Sequence, residues 1–199
     1  MEDIIILGVD IHAIEIIDII IMTKRYNVLG IIRESPDGPR EYMGRPILGG
    51  PDALGGYPNA LRVPMHGWKD RADRKNWVTI AAPSSFIASS AKLGAGCVIY
   101  PNCFIGANAR LGDGVFMLSG SVINHDCVIE DGVVITTGVT LAGSVKVKTR
   151  AYLGQSCTVK QFLTIGEKSL VGMGAVVTRD VPDGATVIGC PARVWEKPV

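Results

Sequence analysis

The sequence lacks several features that would point to common partners. It has no cluster of positive charge, because 20 Lys and Arg are balanced by 19 Asp and Glu, for a net charge of +1. This charge pattern gives no reason to expect nucleic acid or an anionic membrane as a partner. Aromatic residues are only 6% of the chain, although 47% is hydrophobic and 24 residues are Gly. That balance favours a core of many small aliphatic layers over a few large aromatic anchors.

The chain also lacks a long uninterrupted apolar segment. The longest apolar run, residues 11–22, contains Glu15 and Asp18 and is too short to span a bilayer. The first residues, Met1, Glu2 and Asp3, lack the positive start of a signal peptide. We therefore expect a cytoplasmic protein that does not insert into membranes.

The cysteines show no metal-ligand pattern. None of the five forms a CxxC pair or another spacing typical of a metal site. Cys97, Cys103, Cys127 and Cys157 instead fall in one column of small residues within the repeat described next. We interpret these four as compact buried residues, and we expect no metal.

A six-residue repeat runs through the C-terminal part of the chain. From Ile87 to Val177, every sixth residue is Ile, Leu, Val or Met, with no insertion. A period of six fits one short strand plus a turn, and three such strands close one coil of a triangular prism with the apolar column inside. About eighteen residues per coil give about five coils for residues 87–182. Successive coils then lie about 4.8 Å apart.

The N-terminal region has the pattern of a small α/β domain. Residues 3–9 predict a buried strand ending near Gly8, residues 11–23 an Ile-rich helix, and residues 28–32 a second buried strand. We therefore predict a Rossmann-like domain over residues 1–78 and a β-helix domain over residues 79–199, a mainly β fold class.

The ligand of such a sheet usually lies at the end of the first strand. The segment from Gly8, GVDIHA, is not a GxGxxG fingerprint, which disfavours NAD. A helper domain that only packs on the β-helix stays open as an alternative.

The end of the repeat carries a more specific signal. Residues 165–193, IGEKSLVGMGAVVTRDVPDGATVIGCPAR, resemble the C-terminal signature of hexapeptide-repeat acyltransferases. The order of domains over nearly the whole chain resembles the NeuD/PglD-type sugar acetyltransferases. This resemblance implies a left-handed β-helix, a homotrimer, and acetyl-CoA as co-substrate in the groove between adjacent β-helices. It also implies a nucleotide-linked amino sugar as the acceptor, bound by the N-terminal domain.

One histidine stands in the repeat. His125 lies two positions after the apolar column, on the prism wall, where no core can bury it. Acetyl transfer needs a base, usually His near neutral pH, and a donor for the developing oxyanion. Gly143 follows His125 by one coil, so its bare amide should lie about 4.8 Å along the axis. The resemblance implies these two roles, with Asp126 orienting the imidazole. A simple turn role for Asp126 stays open.

The resemblance implies two further groups of contacts. Backbone groups of successive coils would touch the pantetheine arm of acetyl-CoA at these positions: Val134, Gly143, Gln155, Gly172 and Met173. The nucleotide-linked sugar would be bound by a second group: Gly8, His12, Arg33, Glu34 and Gly67. Two of these, Gly8 and His12, remain from the family's glycine-rich first loop, in which Asp10 and Ile11 replace small residues here.

Three alternatives are weighed against this prediction. A γ-class carbonic anhydrase shares the β-helix but needs several zinc-binding histidines, and residues 79–199 contain only His125. An acetyltransferase for a free small molecule stays open, weakly disfavoured by the N-terminal domain. A non-catalytic binding or scaffold relative would fit the altered first loop but does not explain the retained His125, Asp126 and Gly143.

Overall fold

A computed structural model of the chain describes residues 1–35, 37–66, 68 and 74–196. The chain starts with an α/β unit and continues as a parallel β-helix. The elements of the α/β unit are β1 Glu2–Leu7, α1 Ile11–Thr23, β2 Tyr26–Ile32, β3 Glu41–Tyr42, β4 Arg45–Gly49, the 3-10 helix Pro51–Gly56, and β5 Leu61–Pro64.

The sheet of the α/β unit has the strand order β3-β4-β2-β1-β5, and its pairs are parallel except for β3 with β4. Both of its faces are covered, which explains the unbroken Ile runs of β1 and β2. On one face α1 buries Ile16, Ile17 and Ile20. On the other face, Trp68 and the 3-10 helix pack on the sheet. The predicted strand–helix–strand order is confirmed.

The β-helix is built from strands of two or three residues. They are β6 Ile80–Ala81, β7 Phe86–Ile87, β8 Lys92–Leu93, β9 Val98–Ile99, β10 Phe104–Ile105, β11 Arg110–Leu111, β12 Phe116–Met117, β13 Val122–Ile123, β14 Val128–Ile129, β15 Val134–Ile135, β16 Thr140–Leu141, β17 Lys146–Val147, β18 Tyr152–Leu153, β19 Thr158–Val159, β20 Thr164–Ile165, β21 Leu170–Val171, β22 Val176–Val177, β23 Thr186–Ile188 and β24 Arg193–Val194.

The strands form three parallel sheets, one for each wall of the prism. We name them face 1 (β6, β9, β12, β15, β18, β21, β23, β24), face 2 (β7, β10, β13, β16, β19, β22) and face 3 (β8, β11, β14, β17, β20). From β6 to β22, partners on a face are eighteen residues apart, as in Ile105 with Ile123 and Ile123 with Leu141. The fifteen strands β7–β21 make five complete coils. The predicted fold class is therefore confirmed.

The interior of the prism is mainly apolar. The predicted apolar column is half-buried at its start, at Ile87 and Leu93, and buried from Ile99 onward, where Ile123 and Leu141 are fully inaccessible. The small-residue column is buried with it, and burial raises the pKa of Cys97 to about 11 and of Cys157 to about 12. These thiols therefore stay protonated at neutral pH, as expected for core residues.

The α/β unit docks on face 1 of the prism. Val98 and Phe116 on that face join one buried cluster with Ile16 and Ile20 of α1. The chain passes between the two parts near Trp77, which forms a bridge with Arg62 of β5. At the far end of face 1 the antiparallel strand β24 pairs with β23 and ends the parallel ladder, which protects an otherwise open edge.

Candidate active site

His125 lies at the corner between faces 2 and 3, in the turn that joins β13 to β14. Asp126 takes the left-handed conformation in this turn (φ +59°), which Asp tolerates better than most residues. The backbone N–H of Asp126 donates to the carbonyl of Ala107 in the preceding coil, at 2.9 Å. This ladder contact holds the turn, and with it the imidazole, in a defined place on the prism.

The imidazole of His125 is paired with the neighbouring carboxylate. Nδ1 of His125 is 2.8 Å from Oδ2 of Asp126, and Asn108 Nδ2 donates to Oδ1 at 3.1 Å. These hydrogen bonds, that with His125 first, lower the pKa of Asp126 below its usual value. An ionised carboxylate can only accept, so Nδ1 carries the proton and Nε2 of the neutral ring keeps its lone pair. The side chain is 64% exposed, so Nε2 can meet a ligand.

Gly143 lies directly beside this imidazole. A Cβ on Gly143 would stand 2.6 Å from both Cε1 and Nε2 of His125, closer than any carbon can approach. The carbonyl of Gly143 accepts from the N–H of Phe162 at 3.2 Å. Within the described part of the chain, no group accepts a hydrogen bond from the Gly143 N–H. The structure thus brings the predicted pair together, with the imidazole of His125 beside Gly143.

Replacing Asp126 with Asn should lower the rate of acyl transfer by at least about tenfold at pH 7. The side-chain amide that Asn introduces carries no negative charge to favour the imidazolium, and it does not fix the Nδ1–H tautomer of His125. Steady-state thiol release measures the effect, with Asn108→Ala as a milder comparison that removes only the hydrogen bond to the carboxylate. An unchanged kcat in Asp126→Asn would leave Asp126 as the turn residue of the alternative interpretation.

The other predicted acetyl-CoA positions lie elsewhere on the prism. Gln155, Gly172 and Met173 lie at the corner between faces 1 and 2, where Met173 is 76% exposed. Val134 lies on face 1 and packs against the buried cluster under the α/β unit. Within one chain, therefore, only Gly143 of this group is next to His125.

Most of the predicted acceptor positions meet in one cavity of about 600 Å³ at the carboxyl ends of β1 and β2. Gly8, Arg33 and Glu34 line it. Gly67 lies outside the described residues. His12 stands against face 1, where its Nδ1 is 2.9 Å from Glu15 Oε2 and 3.2 Å from the hydroxyl of Tyr100.

Two contacts were not predicted from the sequence. Asn108 precedes Asp126 by eighteen residues, so the repeat arithmetic could have found their contact. Tyr100 donates from its hydroxyl to Glu15 at 3.0 Å, and burial raises its pKa far above the usual value. No periodic signal marks this contact between the two parts of the chain.

Two features are absent from the described residues. These residues contain no helix of sufficient length and apolarity to cross a bilayer. Nor do they bring together three or more His, Cys, Asp or Glu side chains in a way that could hold a metal ion.

Known structures share this architecture over nearly the whole chain. A single-residue variant of GDP-perosamine N-acetyl transferase from Caulobacter crescentus, in complex with CoA and GDP-perosamine, is 27% identical. The match has a TM-score of 0.91 and covers 99% of this chain and 98% of that one. The resemblance to the NeuD/PglD-type sugar acetyltransferases is confirmed. The left-handed β-helix of this NeuD/PglD-type fold is confirmed with it.

Two further structures show the same NeuD/PglD-type fold. WeeI from Acinetobacter baumannii AYE is 24% identical with a TM-score of 0.83, covering 97% of this chain and all of that one. The acetyltransferase domain of PglB from Neisseria gonorrhoeae FA1090, in complex with acetyl coenzyme A, is 22% identical with a TM-score of 0.86. That match covers 98% of this chain and 99% of the domain.

Curated sequences match only a short part of the chain. Serine acetyltransferase of Bacillus subtilis is 41% identical over 64 residues, 28% of this chain and 30% of the relative. A putative acetyltransferase of Staphylococcus aureus, SAR2635, is 36% identical over 56 residues, 28% of each. The matches therefore span less than a third of these relatives. No family model matches the chain.

Proposed function

We propose that this protein transfers the acetyl group of acetyl-CoA to the amino group, or a hydroxyl group, of a nucleotide-linked sugar. The observation that carries the proposal is the close approach of Gly143 to the imidazole of His125, which is itself paired with Asp126. Such a pair supplies both the base and the oxyanion donor of an acyl transfer. The complexes of the GDP-perosamine enzyme with CoA and GDP-perosamine support both substrate classes.

In the proposed reaction, Nε2 of His125 accepts the proton that the acceptor nitrogen loses as it forms a bond to the thioester carbonyl carbon. The carbonyl oxygen becomes an oxyanion, to which the Gly143 N–H donates. As this intermediate collapses, the carbon–sulfur bond breaks and the imidazolium gives its proton to the thiolate of CoA. The products are the acetylated acceptor and CoA thiol, and Asp126 stays ionised throughout.

The positions of the site residues favour a trimer as the active form. The corner with His125 and the corner with Gln155 and Met173 border the same wall, face 2. A three-fold axis beside face 2 brings the first corner of one subunit against the second corner of the next. One groove then holds every predicted acetyl-CoA position except Val134. The α/β unit of the neighbour, docked on its face 1, is then close to this groove, so the acceptor cavity and the base come from different subunits.

The outer surface of face 2 fits such an interface. Phe86 and Phe104 stack on it with ring centroids 5.1 Å apart, although they are 56% and 39% exposed in the single chain. Val122 continues this apolar strip by one coil, and Thr140 and Thr158 follow it along the face. Stacked aromatic side chains in an apolar strip are typical of subunit interfaces.

Replacing Phe104 with Asp should dissociate the trimer, because it places an unpaired charge in the centre of the apolar strip. Light scattering after size-exclusion chromatography should then report one subunit mass where the natural chain gives three. Acetyltransferase activity should fall as the trimer dissociates. Arg110→Asp introduces the same side chain on face 3 instead of face 2. This control variant should remain trimeric. A Phe104→Asp variant that keeps the trimer and its activity would contradict the assembly proposed here.

The function is tested by thiol release from acetyl-CoA with a panel of acceptors. Nucleotide-linked amino sugars should release CoA thiol, and mass spectrometry should find the acceptor heavier by one acetyl group. Free amino sugars that react as fast as the linked forms would refute the nucleotide-linked acceptor and favour a free small molecule. Bound CoA without any acetylated acceptor would favour the non-catalytic relative.

A further inference from the structure

We propose that Asp10 prevents the acceptor cavity from binding phosphate groups. The cavity then binds the nucleoside and sugar parts of the acceptor but not its diphosphate. The inference deepens the proposed function and rests on it. It concerns specificity, because Asp10 lines the same cavity as the predicted positions Gly8, Arg33 and Glu34.

The carboxylate of Asp10 already occupies the start of helix α1. Its Oδ1 accepts from the backbone N–H of His12 at 2.8 Å and of Ala13 at 3.2 Å. In nucleotide-binding α/β folds, these first amides of the helix are the donors that hold phosphate oxygens. Here they are satisfied internally by a group of the same charge as phosphate. The start of α1 therefore repels a diphosphate rather than binding it.

The turn that precedes Asp10 keeps the shape that phosphate-binding loops need. Gly8 ends the first strand at φ +118°, and a Cβ there would stand 2.7 Å from Cγ of Met65. The backbone N–H of Gly8 donates to Ile32 at 2.8 Å, which fixes the end of β1 beside β2. Of the two residues that replace small residues in this loop, Asp10 and Ile11, only Asp10 adds charge.

Most charged side chains among the described residues of the lining have the same sign as Asp10. Within that described part, Glu34, Asp37 and Glu41 also carry carboxylates, and Arg33 carries a guanidinium. The two terminal nitrogens of Arg33 donate to the backbone carbonyls of Asp37 at 2.7 Å and Pro39 at 2.8 Å. Arg33 therefore shapes its own loop. Such a lining favours hydroxyl and N–H donors of a ribose, base or amino sugar over an anion.

The variant Asp10→Asn tests the inference because Asn caps helices about as well as Asp but carries no charge. Binding of GDP and guanosine, and of UDP and uridine, is measured by isothermal titration calorimetry at low salt. In the natural chain, each diphosphate should bind within about threefold of its nucleoside. In Asp10→Asn the diphosphates should bind about tenfold more tightly, with the nucleosides unchanged. High salt should remove most of this gain.

The second variant Asp10→Ser, which also retains a capping oxygen, should behave like Asp10→Asn. Thermal unfolding checks that both variants are folded. A natural chain that binds a diphosphate far more tightly than its nucleoside, or variants that show no tightening at all, would overturn the inference. The proposed function fails on a different result, the absence of acetylated nucleotide-linked acceptor from the natural chain. Tighter diphosphate binding in Asp10→Asn without any acetylation would therefore uphold the inference while refuting the function.

Discussion

Replacing His125 with Ala should lower kcat for acetyl transfer by about 10²- to 10⁴-fold, the usual contribution of a positioned general base. The acceptor amine then loses its proton only to water, while the Gly143 amide and the acetyl-CoA groove are retained. Thiol release with a nucleotide-linked amino sugar measures the loss. CoA should bind as in the natural chain, because the imidazole accepts the proton of the acceptor amine and does not hold the pantetheine arm.

The fold should survive this change. The His125 side chain is 64% exposed and its backbone contacts do not depend on the ring, so the melting temperature should remain close to that of the natural chain. Lys92→Ala, another exposed truncation on the prism, should keep full activity and serves as the control. A His125→Ala variant with a folded trimer and undiminished kcat would remove His125 from the mechanism.

Replacing Gly143 with Ala should cost about 10²-fold in kcat, although it adds a single methyl group. The new Cβ would lie 2.6 Å from Nε2 of His125, so the imidazole must swing away and its hydrogen bond to Asp126 is broken. The backbone conformation of Gly143 lies outside the left-handed region, so Ala fits the chain itself. The loss should therefore appear in catalysis and not in stability.

Gly56→Ala is the matched control for this prediction. A Cβ at Gly56 meets no atom within 4 Å, and its φ is likewise outside the left-handed region. It should leave both kcat and the melting temperature unchanged. The NMR titration of His125 in Gly143→Ala would show whether the imidazole has left the carboxylate. An Ala variant at position 143 with kcat within twofold of the natural chain would contradict the close contact described above.

The sequence predicted the β-helix well because pairing and burial repeat along the chain. A partner eighteen residues away fixes both the strand register and the buried column. The contact of His125 with Gly143 could therefore be predicted from the eighteen-residue spacing of the coils. The same spacing places Val134 on the wall that holds Phe116, its partner one coil earlier. That position could have been predicted to lie away from the His125 corner.

The docking of the α/β unit could not be predicted in the same way. It depends on which wall residues are apolar and on single contacts such as Tyr100 with Glu15, neither of which follows the six-residue period. The capping role of Asp10 was also missed, although Asp before an Ile-rich helix is a common N-cap signal.

The account is tested most directly by a crystal structure of the protein with CoA and a nucleotide-linked amino sugar. We expect the CoA sulfur within about 4 Å of both Nε2 of His125 and the Gly143 nitrogen, with the acceptor amine reaching them from the cavity of a neighbouring subunit. A CoA thiol that lies on another wall of the prism, or a His125 corner closed off by a protein contact, would contradict it.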